Sequence, residues 1–262
     1  MGSGEEFLSR YALLLQYDGT EFNGWQIQAG GRTIQDELEK AVKILAKKDV
    51  RVTASGRTDA GVHALGQVAH FDADIDISLE KLCANLNGIM SRDVSVKNAY
   101  HVPYDFHSRF SAVKREYIYL IYRSPMRTPF VRNRAMWINH PFDIEYIREA
   151  SSYLIGEKDF CSFCKKISSD NGTIRKVESI DVTESDDVIR IRLRANAFLH
   201  NMIRIIVGTI VQMYREKREP AFILEILERR DRSYGGFTAP PYGLYLNEIT
   251  YEPPLDQYES AF

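Results

Sequence analysis

Apolar residues recur along this chain with two periods, one helical and one extended. Residues 11–17 form an apolar run closed by Asp18-Gly19, a turn signal, and read as a strand. Between 33 and 47, Ile34, Leu38, Ala41, Val42 and Leu45 fall on one helical face, and Thr33 with Asp36 resembles a capping box. Residues 50–54 and 67–71 read as short strands, with the polar loop 55–61 after the first. A helix over 78–87 stops near Gly88, and a strand follows at 94–102. The second half repeats the mixture. Aromatic and β-branched residues mark 117–122 as a strand, and 143–154 reads as a capped helix. Residues 173–184 and 188–194 form a hairpin, 198–217 a long helix and 244–251 a final strand.

Strands and helices mixed in this way predict an α+β fold with two related subdomains. The first spans 7–105 and the second 106–252, followed by an acidic tail at 253–262. No repeat of solenoid length interrupts the pattern. Residues 2–4, Gly-Ser-Gly, are set aside from fold reasoning.

Composition narrows the class. The 262 residues are 44 % hydrophobic and 27 % charged, which is ordinary for a folded protein and unlike a disordered or collagenous chain. Three cysteines, Cys83, Cys161 and Cys164, are too few and odd for a disulfide framework and point to a reducing compartment. The first residues carry no apolar leader, and the most apolar stretch, 198–214, is interrupted by His200, Asn201 and Arg204. The expected address is the cytoplasm, with no membrane partner. The formal net charge is -2, which does not advertise a nucleic-acid binder, but the charge is uneven. Residues 101–135 and 189–219 each hold seven basic residues and two acidic ones, whereas 72–80 and 242–262 each hold four acids and no base. A one-sided molecule is the expectation, with a basic cleft face and the acidic stretches directed elsewhere.

Four features could carry chemistry. The loop Ser55-Gly-Arg-Thr-Asp-Ala-Gly61 sets Asp59 between glycines and two residues from Arg57. A carboxylate near a guanidinium stays ionised and available as a nucleophile or base, although a solvated ion pair in a turn gives the same pattern. Arg204 lies off the apolar stripe of its helix, one turn before Gly208, where it either reaches into a cleft or runs out to solvent. In 189–194, Arg190, Arg192 and Arg194 alternate with Ile189, Ile191 and Leu193, so three guanidiniums share one sheet face. Such a row suits a phosphate backbone, and equally a wet outer face. Finally, Tyr117 and Tyr119 follow Lys114-Arg115, and aromatic rings stack on bases as readily as they fill cores.

The chain has no phosphate-binding glycine loop of either common type, so neither ATP nor a dinucleotide cofactor is expected. Without a Gly-x-Ser-x-Gly elbow, a Ser/His/Asp hydrolase is disfavoured. Cys161-Ser-Phe-Cys164 with one further thiol cannot build a four-cysteine zinc site, and no metal is expected; the thiols read as packing.

Taken together, five ordered motifs resemble the TruA family of tRNA pseudouridine synthases, from about residue 11 to 251. They are Tyr17-Asp-Gly-Thr-Glu-Phe-Asn-Gly-Trp-Gln26, Ser55-Gly-Arg-Thr-Asp-Ala-Gly-Val-His-Ala64, Phe106-His-Ser-Arg-Phe-Ser-Ala112 with Arg115-Glu-Tyr-Ile-Tyr119, Phe198-Leu-His-Asn-Met-Ile-Arg204, and Ala239-Pro-Pro-Tyr-Gly-Leu-Tyr-Leu246. The chain departs from the family at 87–93, which lacks the usual Leu-Pro, and at Cys161 and Cys164.

The resemblance implies two pseudo-symmetric ferredoxin-like subdomains sharing a mostly antiparallel sheet, with the active-site cleft between them. It implies that Asp59 attacks the target uridine and that Arg204 pairs with it and holds it ionised. Tyr117 would stack on the flipped uracil and take part in removing the C5 proton. Arg57 would help extrude the base and Leu244 would pack against it; Arg190, Arg192 and Arg194 would serve the RNA backbone. It further implies a homodimer acting on tRNA in the anticodon stem-loop, at positions 38 to 40. A non-catalytic tRNA-binding module or chaperone on the same scaffold is the rival reading, and a thiol-dependent RNA-modifying enzyme ranks last.

Overall fold

The computed structural model describes residues 8–165 and 172–262, so the set-aside residues 2–4 lie outside it. The chain divides into two compact units, Met1–Val113 with Leu246–Phe262, and Lys114–Tyr245. The expected single crossing near residue 105 becomes two, because the last strand and the tail return to the first unit.

The first unit contains β1 (Ser9–Tyr17), α1 (Ile34–Ala46), β2 (Thr53–Ala54), β3 (His63–Ala73), α2 (Leu79–Ile89) and β4 (Val94–Val102). β1 lies between β3 and β4 and is antiparallel to both. Both helices start on the side chains their sequences offer. The Thr33 hydroxyl accepts from the Asp36 N–H and the Ser78 hydroxyl from the Lys81 N–H, each at 3.4 Å. Ile34, Leu38, Ala41 and Val42 of α1 are buried as their spacing requires, together with Leu13 and Leu15 of β1.

β3 runs over eleven residues where the apolar pattern marked five. The pattern fell short at both ends: 63–66 holds the polar but buried His63, whose Nδ1 accepts the Gly19 N–H at 3.1 Å, together with Gly66, and 72–73 opens on Asp72, which pairs with Arg10. Within the expected stretch, the buried Gln67 and His70 are each held by hydrogen bonds inside the unit. Conversely, only Thr53 and Ala54 of the expected strand 50–54 pair in the sheet.

The second unit contains most of β5 (Ala112–Arg123), then β6 (Met136–Ile138), α3 (Ile144–Ser152), β7 (Gly156–Asp159), β8 (Ile174–Ser185), β9 (Val188–Ala195), α4 (Met202–Arg215) and α5 (Phe222–Arg229); β10 (Leu244–Tyr251) begins in it and passes into the first unit. Its strands follow the order β7-β8-β9-β5, antiparallel throughout, with the short β6 parallel to β5. Each unit is therefore α+β with a mostly antiparallel sheet, as expected. The hairpin β8–β9 turns on Asp186 and Asp187, both left-handed (φ 50° and 64°), the geometry that a two-residue hairpin loop demands.

The long helix expected over 198–217 is shorter. Asn201 is left-handed (φ 63°), so 198–201 is a loop and α4 starts at Met202. Lys217 is left-handed as well, beyond the helix end at Arg215. α5, β6 and β7 were not anticipated; the sequence of β7, Gly-Glu-Lys-Asp, carries no apolar period at all.

β10 reaches β3 where Gly66 removes the obstacle: a Cβ there would lie 2.3 Å from the Asn247 carbonyl oxygen. The tail then binds the outer edge of β4. The His101 N–H donates to the Glu259 carbonyl and the Ala261 N–H to the Ala99 carbonyl, both at 3.0 Å. No helix among the described residues is long and apolar enough to cross a membrane.

Candidate active site

Asp59 sits on the loop between β2 and β3, and this loop is held from three sides within the first unit. At its start, Ser55 is buried and donates its N–H to the Val68 carbonyl (2.8 Å) and its hydroxyl to Gln67 Oε1 (2.6 Å). The Gln67 amide in turn donates to the Gly56 carbonyl at 2.9 Å. In the middle, the Thr58 hydroxyl meets the Tyr17 hydroxyl at 2.8 Å, and the Thr58 carbonyl accepts from the Trp25 N–H at 3.0 Å. At its end, the Val62 N–H donates to the Asp59 carbonyl (3.1 Å) and the Gly61 N–H to the Phe22 carbonyl (3.3 Å).

The segment 17–26 is thus a brace for the loop. Burial pushes the Tyr17 phenol up to about 12, so it stays a neutral hydrogen-bonding group at any working pH. Gly24 is left-handed (φ +85°) and touches the loop so closely that a Cβ would lie 2.6 Å from the Thr58 carbonyl oxygen. Asp59 is half-buried and Arg57 beside it is exposed. A carboxylate on a backbone fixed in this way pays little to reach its working geometry. Tyr17, Gly24, Thr58 and Gln67 carry this support and were not singled out by sequence reasoning. The signal present was a polar residue, Gln67, inside a strand pattern.

The other expected residues belong to the second unit. Tyr117, on β5, is half-buried with its ring edge-on to Phe198 at 5.2 Å. Arg204, in the first turn of α4, donates to the Ala239 carbonyl and to Asn201 Oδ1, both at 2.7 Å. Its own carbonyl accepts from the Ala239 N–H at 3.0 Å. Gly208, one turn on, lets residues 236–239 lie against the helix: a Cβ there would fall 1.8 Å from the Phe237 carbonyl oxygen. The same segment is tied again where the Tyr119 phenol donates to the Pro240 carbonyl at 2.8 Å. Leu244 follows, buried at the start of β10. So the α4 motif and the closing motif are parts of one bonded assembly, with Arg204 and Tyr119 as its fasteners.

The arginine row is real as a row: Ile189, Ile191 and Leu193 are buried and Arg190 and Arg192 exposed. Register decides what it faces. Leu193 pairs with Tyr117 and Arg194 with Glu116, so the arginines project from the face of the β5–β9 pair opposite Tyr117. The row is also partly neutralised, since the Glu116 carboxylate, buried to 5 % exposure, takes Arg194 at 2.7 Å and Arg192 at 3.6 Å. Elsewhere in the basic segments, Lys114 meets Glu178 at 3.1 Å and Arg123 pairs with Glu184.

Burial pushes the Cys83 thiol up to about 11 and the Cys161 thiol upward too, which keeps both protonated and unreactive. Among the described residues no three His, Cys, Asp or Glu side chains converge as metal ligands would.

A family profile described as tRNA pseudouridine synthase matches residues 14–111 and 150–252. Among curated proteins, tRNA pseudouridine synthase A of Leptospira biflexa is 42 % identical over 257 residues, covering 96 % of this chain and 97 % of the relative. Its counterpart in Paraburkholderia xenovorans is 40 % identical over 244 residues, covering 93 % and 90 %. Among solved structures, a chain of a Cbf5-Nop10-Gar1 complex aligns over 76 % of this chain and 52 % of that one, at 13 % identity and a TM-score of 0.32, too distant to bear on the fold.

Proposed function

Because this chain belongs to the tRNA pseudouridine synthase family, we propose that it isomerises uridine to pseudouridine in the anticodon stem-loop of tRNA, at positions 38 to 40, with Asp59 as nucleophile. The observation that carries this reading is the braced loop: seven hydrogen bonds and a close-fitting glycine hold the backbone around one half-buried carboxylate.

The reaction is an isomerisation and balances without a co-reactant. The N1–C1′ bond of uridine breaks, the ring turns, C5 bonds to C1′, the C5 proton leaves and N1 ends protonated. Asp59 attacks C1′ as the N1–C1′ bond breaks; the carboxylate then leaves with the C2′ proton to give a glycal-type intermediate, and returns that proton to C2′ as C5 bonds to C1′. Tyr117 stacks on the uracil and assists removal of the C5 proton, and Arg204 keeps Asp59 ionised. The target base must first leave its stack, at a cost of a few kcal/mol. Arg57, exposed beside Asp59, fills the space it vacates, and Leu244 packs against the base. The arginines of β9 face away from Tyr117 and serve a more distant stretch of RNA backbone.

A homodimer in the cytoplasm completes the reading. Met126 and Phe130, between β5 and β6, are 77 % and 91 % exposed, and a second copy would cover them. Phe130→Asp, followed by light scattering, then gives a monomer.

The decisive test is chemical mapping of pseudouridine on a tRNA transcript incubated with purified protein and no added cofactor. Pseudouridine at the expected positions, lost in Asp59→Ala, supports the reading. A wild-type protein that binds tRNA but leaves uridine unchanged would favour the non-catalytic module.

A further inference from the structure

The first unit presents a second feature suited to RNA, away from Asp59 itself. The turn 107–111 between β4 and β5 is anchored on buried partners. Ser108 is fully buried; its hydroxyl donates to the Thr53 carbonyl at 2.8 Å and its N–H to His70 Nδ1 at 3.2 Å, and its carbonyl accepts from the Tyr251 phenol at 2.7 Å. Phe106 is buried against Tyr251, with ring centroids 5.1 Å apart. The turn closes on itself as well. His107 Nδ1 accepts the N–H groups of Arg109 (3.2 Å) and Phe110 (3.3 Å), and the His107 N–H donates to the Ser111 hydroxyl at 2.9 Å.

This anchored turn holds Phe110 out in solvent, at 76 % exposure. The His107 ring lies 4.4 Å from the Phe110 ring and the Arg109 guanidinium 5.5 Å from its centroid. A rigid aromatic face beside a cation is the arrangement that holds an unpaired base and its phosphate. The anchor point matters too: Thr53 is two residues before Ser55, where the Asp59 loop begins.

We propose that Phe110 is a substrate-positioning residue that stacks on a second, unreacted base of the RNA substrate. This rests on the reading of the chain as a tRNA-uridine isomerase. Stacking of this kind is sequence-tolerant, because every base offers a π-face, so it positions the strand without choosing it. Protonation of His107 would withdraw the acceptor from both N–H groups and loosen the turn. Burial, Arg10 and Arg109 all push that pKa down, so the turn stays closed at neutral pH.

The test compares tRNA binding and turnover in Phe110→Ala, Phe110→Leu and Phe110→Trp. Binding by anisotropy weakens about 5- to 100-fold in the alanine and leucine variants and is retained in tryptophan. The kcat at saturating tRNA and the Tm stay at wild-type values, because the side chain is outside both the chemistry and the core. Leucine matching wild type in affinity, or a fall in kcat at unchanged affinity, overturns the proposal. Failure of the isomerase reading shows separately, as absent pseudouridine in the wild-type reaction; the binding comparison still decides the role of Phe110.

Discussion

The hydroxyl of Tyr17, at the end of β1, lies 2.8 Å from the hydroxyl of Thr58, the residue before Asp59. Tyr17 is buried, and Gln67 Nε2 adds a longer contact to the same phenol at 3.4 Å. Tyr17→Phe removes the joint and leaves the Thr58 hydroxyl without this partner, at a cost of about 1–2 kcal/mol. Urea unfolding should show that loss, and single-turnover pseudouridine formation should fall by more than the stability change explains, because the bond fixes the loop that carries Asp59.

Gly24 and Gly30 make a controlled pair, since both have φ +85° and only Gly24 touches the loop. Gly30→Ala has open space around it and bears backbone strain alone, about 1–2 kcal/mol, with turnover kept. Gly24→Ala adds a clash with the Thr58 carbonyl and should lower kcat as well as Tm. Equal turnover in the two variants would mean that the close approach does not control the loop.

His70 gives a pH dependence. Burial pushes it down to about 4 from an ordinary 6.5, so the unfolded chain binds its proton first. Stability therefore falls as pH drops from 6.5 toward 4, and below about 4 this residue costs nothing further. Denaturation at pH 7 and pH 5 should show a larger loss for the wild type than for His70→Asn, which keeps an acceptor for the Ser108 N–H.

Arg204→Ala deletes bonds to Ala239 and Asn201, and should lower Tm and turnover together. Asp59→Asn should abolish turnover while leaving the circular dichroism and Tm unchanged. A stable, fully folded Arg204→Ala protein would show that residues 236–239 do not depend on that side chain.

On β9, Arg194 is the close partner of the buried Glu116, while Arg190 is exposed. Arg194→Ala should cost about 1–3 kcal/mol in urea unfolding and Arg190→Ala close to none. In tRNA binding, Arg190→Ala should reduce the salt dependence by about one phosphate contact.

Most of the secondary structure was legible because it obeys local rules. Thr33 and Ser78 cap helices, Ile189 to Arg194 alternate, and 94–102 is β4 to the residue. The misses have separate causes. β3 was cut short because the buried His63 looks like a surface residue until its partner, the Gly19 N–H 44 residues away, is known. α4 was overextended because nothing local announces that Asn201 turns left-handed. At the site, motif resemblance named Asp59, Tyr117 and Arg204, but not the tie between Tyr17 and Thr58 across 41 residues. Nor did alternation along β9 reveal which face Tyr117 shares, since that depends on pairing register.

The return of the chain into the first unit sets an order of events during synthesis. The second unit is one unbroken stretch, Lys114–Tyr245, and every residue it needs has been made before the ribosome reaches Leu246. The first unit begins earlier but must wait: β3, which follows the Asp59 loop, gains its neighbour β10 only when residues 246–251 emerge. The half of the protein translated first is therefore the half finished last. A chain that has emerged only as far as Tyr245 holds every residue of the second unit, while the edge of β3 that β10 later takes is still unpaired.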